Sequence, residues 1–119
     1  MRLQIPTIAS LLFVLALPVS AQTISEAQMR AANLARMQAE LINGGLGKYS
    51  AAKCMHEGGG GSCMVSETPQ GFRFRFLGGS PGWAVNQQPA TLETVVLVSP
   101  DGRSSIVEYN GSVRVRTMP

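Results

Sequence analysis

The sequence is short of the residues that chemistry most often uses. Its 119 residues include two cysteines, one histidine and one tryptophan, and charged side chains make up only 14%. With His56 as the single histidine, a serine nucleophile has one candidate base in the whole chain. No nucleophile elbow and no pair of carboxylates are read in it. These shortages predict a protein that is not an enzyme. Long runs of like charge are also missing, which excludes a disordered acidic or basic tail. The formal net charge of +3 is too small to argue for nucleic acid. No apolar run reaches the ~20 residues that a membrane-crossing helix needs.

What the chain does have at its start is an export signal. Arg2 precedes the apolar run "IASLLFVLAL" (Ile8 to Leu17), and "PVSAQ" follows with small residues at Val19 and Ala21. A run of roughly ten apolar residues is a signal-peptide core rather than a span. Residues 1–21 are therefore expected to be removed, leaving Gln22 to Pro119 as one exported domain with no membrane attachment. No cysteine stands at the cut, so no lipid anchor is expected. The compartment implied is the periplasm, a thylakoid lumen or the extracellular space.

Export governs how the stretch "CMHEGGGGSCM" (residues 54–64) reads. An even number of cysteines in an oxidising compartment predicts a disulfide between Cys54 and Cys63. A redox dithiol would instead be Cys-x-x-Cys at a helix N-terminus. A zinc site would need Cys54, His56, Glu57 and Cys63 together, at a spacing that matches no recurrent motif. With the cysteines oxidised, Met55, His56 and Met64 remain as a soft set suited to Cu(I). The glycine run reads as a loop that gains stability from being tied.

The mature chain divides into a helical third and a strand-rich remainder. Thr23 followed by Glu26 matches a capping box, and Asn43-Gly44 supplies a helix stop. Between them Ile24, Ala27, Ala31, Leu34 and Leu41 recur at helical spacing, widened by Ala35 and Ile42. This alanine-rich stripe suits a helix lying close to a sheet. "GGLGKYS" is no phosphate loop, because Tyr49 stands where Ser or Thr would ligate magnesium. A short strand is expected near Tyr49, and further strands at "CMVSET", "FRFRFLGG", "TLETVVLV" and "SSIVEY". "TPQG" and "SPDGR" are turn signals, and "VRVR" after "NG" reads as a short edge strand.

The expected fold is α+β, one N-terminal helix packed on an antiparallel sheet of about four strands. Cystatin-like and PepSY-like modules share this plan, an analogy of fold that licenses no function. Strict alternation in "FRFRF" sends Phe72, Phe74 and Phe76 to the core and Arg73 and Arg75 to the other face. Arg114 and Arg116 are expected to join them, with Arg103 at the border, as a surface for phosphate, carboxylate or an acidic partner. Trp83, in "LGGSPGW", sits on a loop, either as a partner contact or tucked over the core edge.

The helix, "NGGLGKYS", the short Cys-to-Cys loop, "FRFLGGSPGW", "TLETVVLVSPDG" and the terminal "YNG" together resemble a group of small exported proteins of cyanobacteria. The resemblance implies a cyanobacterial cell envelope and transfers no activity, cofactor or site residue. Three functions compete. The chain is expected to be a non-enzymatic module binding a protein or small anionic partner, with a copper-handling protein and a cystatin-like inhibitor or accessory as the alternatives.

Overall fold

A computed structural model describes Gln4 and residues 23–114. The segment expected to be a signal peptide, apart from Gln4, and Arg116 therefore lie outside the described residues. Helix α1 runs Glu26–Ile42, and five strands follow: β1 Ser50–Ala51, β2 Met64–Thr68, β3 Gly71–Gly79, β4 Leu92–Val98 and β5 Ser105–Ser112. All pairings are antiparallel, in the order β1-β3-β4-β5. Strand β2 shares the β1 edge of β3, pairing with Gly71–Phe74 while β1 pairs with Gly78–Gly79. One helix on one antiparallel sheet is the expected α+β arrangement, its sheet of about four strands being five with the two-residue β1.

The helix begins later than its capping box suggested. Ser25, not Thr23, is the N-cap, and its Oγ accepts a hydrogen bond from the Gln28 N–H at 3.1 Å. Gln28 is thereby placed to send its side-chain amide across to the Gly59 carbonyl, 3.0 Å away. At the other end Gly44 and Gly45 take the left-handed backbone (φ +99° and +87°), which releases the chain towards β1.

The buried stripe of α1 is also rotated from the expected one. Ala31, Ala32, Ala35 and Ala39 are fully enclosed, whereas Ile24, Leu41 and Ile42 are exposed. Small side chains win the inner face because the helix approaches so closely that larger ones would not fit. Against it stand Phe72, Phe74 and Phe76 from β3 and Val96 and Val98 from β4, all buried. Tyr49 completes this layer over Gly78, and burial pushes its phenol up to about 12.

Asn110-Gly111 is not a turn. Strand β5 runs straight through it, and the segment expected as a separate edge strand is not one in its described part, Val113 and Arg114. The reason is a polar tie that crosses the layers. Asn43 and Asn110 exchange side-chain amide hydrogen bonds at 3.1 and 2.9 Å, and the Thr94 hydroxyl donates to Asn110 Oδ1 at 2.7 Å. This links the helix end to both β4 and β5.

The glycine loop between the cysteines is seated rather than loose. It forms two short 3₁₀ turns, Lys53–His56 and Gly58–Cys63, clasped by the Cys54–Cys63 disulfide. Gly59 and Gly60 are buried, with φ of +70° and +84°. The glycines let the backbone lie against α1 and Phe74, where a side chain would collide. Replacing both cysteines with serine should lower stability by about 2.5–3 kcal/mol, the chain-entropy value for so short a loop. The check is a lower denaturant midpoint with a slope change no larger than the loop's release explains.

Candidate functional site

The sheet face away from α1 was the first candidate surface. Strand alternation does send Arg73 and Arg75 there, on the side opposite the buried phenylalanines. Both meet carboxylates. Arg73 forms a two-pronged bond with Glu108, at 2.7 and 3.0 Å. Arg75 reaches Glu93 Oε2 at 2.8 Å, and Arg114 reaches the same oxygen at 2.9 Å while its backbone N–H donates to Oε1. Arg114 also lies over the Tyr109 ring, 3.7 Å from its centre. The arginines that looked available to an anion thus hold internal carboxylates.

Glu93 is the unexpected member of this face. It is 1% exposed, in a strand whose neighbours are nearly all apolar. The Arg114 guanidinium, opposed by burial and aided by Arg75, holds its carboxyl well below the usual range, at about 2. Glu108 is lowered in the same direction, chiefly by its bond from Arg73. A sequence signal for this existed: an acid at the start of the central strand, opposite a strand alternating arginine and phenylalanine.

The soft-metal set is divided between the interior and the surface. Met55 is fully enclosed in the core and Met64 packs against it, opposite Phe74. His56 is exposed and lines a groove that neither methionine lines. Thioethers are apolar enough to be drawn inside, and here the core takes them. The zinc set loses its sulfurs to the disulfide. Among the described residues, no three His, Cys, Asp or Glu side chains cluster as a metal site would require.

The groove containing His56 is the better candidate. It lies between the Lys53–His56 turn and the loop after β3, with a volume of about 450 Å³. That is within the roughly 300–1,000 Å³ of small-molecule sites. Trp83 is half-buried in it, so neither sequence expectation for this residue holds alone. Gly79 makes room for the indole, and the indole N–H donates to the Ser50 carbonyl at 2.9 Å. The loop is wound by its own backbone bonds, from Trp83 N to Ser80 O and from Gln88 N to Trp83 O. At its tip Val85 is 87% exposed.

No family model, curated protein or solved structure matches the chain. The site must therefore be read from its own chemistry. Lys53 and His56 are the groove's titratable lining residues, and no acid lines it. Residues 78–82 do carry the spacing Gly-x-Ser-x-Gly, contrary to the sequence reading. They form no nucleophile elbow, since Ser80 is exposed on a turn leaving β3 and no helix follows. A second apolar feature, the exposed Met37, Leu41 and Leu46, borders a smaller cavity of about 310 Å³ near the end of α1.

Sequence reasoning missed the groove because its parts are distant along the chain. Lys53 and His56 lie roughly thirty residues before Trp83 and Val85. Only the pairing of β1 with the end of β3 brings them together.

Proposed function

We propose that this chain is a non-catalytic, exported binding module of the cell envelope, and that it holds its partner in the Trp83 groove. The observation that carries this reading is the groove itself: an indole wall, an exposed valine lip, and the Lys53 ammonium and His56 imidazole at the rim. Apolar surface left open beside polar groups is the usual form of a recognition site. A catalytic role is disfavoured because the one imidazole has no carboxylate in the groove to orient it. Export is supported by the leader-like start of the sequence and by the disulfide, which suits an oxidising compartment.

The test is an amide-shift map of the oxidised protein, titrated separately with small-molecule and protein fractions of envelope extract. Shifts are expected at residues 50–56 and 80–88. Shifts centred instead on Arg73, Arg75 and Arg114 would return the site to the arginine face, and no response to any fraction would overturn the binding reading. Intact mass of the native protein checks export. A chain beginning at Gln22 and two hydrogens lighter than its reduced form is expected.

A further inference from the structure

We infer that the groove takes a small carboxylate, with its apolar body against Trp83 and Val85 and its anionic end towards Lys53 and His56. This rests on the groove being the recognition surface and adds the chemical class of its ligand.

Charge makes the first argument. Four arginines among the described residues are held by carboxylates: Arg36 by Glu40, Arg73 by Glu108, and Arg75 and Arg114 by a shared Glu93. Lys53 has no ion-pair partner among the described residues, and it stands at the rim of an apolar groove that no acid lines. An ammonium beside low-dielectric walls attracts an anion more strongly than one in open water, and it repels a cation. Neutral acceptors gain less from it, because they lack the net charge.

Hydrogen bonding makes the second. The polar tip of Trp83 is already committed to the Ser50 carbonyl. The indole therefore offers a ligand its apolar surface and no donor. The lining side chains that carry donors for the ligand's polar end are Lys53, His56 and Ser50, and a carboxylate accepts from each.

Rigidity makes the third. The turn bearing Lys53 and His56 is anchored by the disulfide at Cys54 and by Met55, which is wholly buried. Arg36 adds a hydrogen bond to the Met55 carbonyl at 3.1 Å. A backbone held at two successive residues, Cys54 and Met55, presents Lys53 and His56 with little ordering left to do on binding.

Trp83 is the only tryptophan in the chain, so its emission reports the groove directly. The oxidised protein is titrated with three probes of one chain length: octanoate, octan-1-ol and octylammonium. Octanoate should bind saturably and about tenfold more tightly than octanol, the contribution of one charge-assisted hydrogen bond. Octylammonium should bind most weakly. Lys53→Met, which keeps the apolar stem, should weaken octanoate about tenfold and leave octanol unchanged. His56→Gln should reduce the octanoate preference by a smaller factor. Equal binding of octanoate and octanol, or an octanoate affinity indifferent to Lys53→Met, would overturn the carboxylate assignment with the groove still standing. If none of the three probes alters Trp83 emission in the wild type, both the carboxylate assignment and the groove fail.

Discussion

Gly60→Ala is expected to destabilise the domain by about 2–4 kcal/mol, while Gly58→Ala two residues earlier should change stability by no more than about 0.5 kcal/mol. The two glycines belong to one run of four and would look interchangeable on paper. Gly60 has φ +84°, where an L side chain meets its own carbonyl, at a cost of roughly 1–2 kcal/mol. A Cβ there would also lie 2.6 Å from Phe74 Cε1 and 2.8 Å from Cδ1. Phe74 is fully enclosed and cannot swing away, so overpacking adds roughly 1–3 kcal/mol. At Gly58 the nearest atom to a new Cβ is Ile24 Cδ1 at 3.8 Å, an ordinary contact, and the backbone angle is not positive. Small domains hold only about 5–15 kcal/mol in total, so the first change is visible in any urea titration. Equal midpoints for the two variants would show that the loop is not seated against Phe74.

Glu93→Gln is expected to lower stability near neutral pH by roughly 2 kcal/mol and to flatten the acid limb of the stability profile. The sign follows from the direction of the shift. The folded carboxyl sits at about 2, below the ordinary 4.5. Below the ordinary value the unfolded chain binds a proton that the folded chain refuses. The stabilisation is thus complete above about pH 4.5 and disappears as pH falls towards 2. The magnitude is held below the full value of the shift because Arg75 and Arg114 are about one-third and one-half exposed, so water screens them. Glu108 shifts in the same direction, so some acid dependence should survive in the variant. Denaturant midpoints of both proteins from pH 7 to pH 2 provide the measurement. The curves should converge at the acid end. A constant offset across the whole range would mean that Glu93 stabilises through packing and not through its charge.

These two expectations show where local reading succeeds. The phenylalanine–arginine alternation of residues 72–76 needs only the two-residue period of a strand, and it places every side chain on its correct face. The apolar run Val95–Val98 needs only its composition to be central, between β3 and β5. The cysteine pair follows from parity together with the expected export. What local reading could not see were the partners. Glu93 and Glu108 face the arginines because strand pairing puts them there, so on a face read as basic two carboxylates offset most of the charge of three arginines. In α1, periodicity identified a helix but not its rotation. Alanines rather than leucines face inward because the glycine turns and Phe74 leave so little space.

The sequence by itself determined the class of fold, the order of its elements, the cysteine clasp and the alternation that builds the core. Each of those depends on a short-range period or on simple counting, so neighbours in the chain suffice. The tertiary structure decided which charges remain available and where apolar surface stays open. It sent Met55 into the core, gave the arginines their carboxylates, and brought Lys53 and His56 beside Trp83. Those outcomes depend on which distant backbones pair, and pairing is a property of the whole packed molecule.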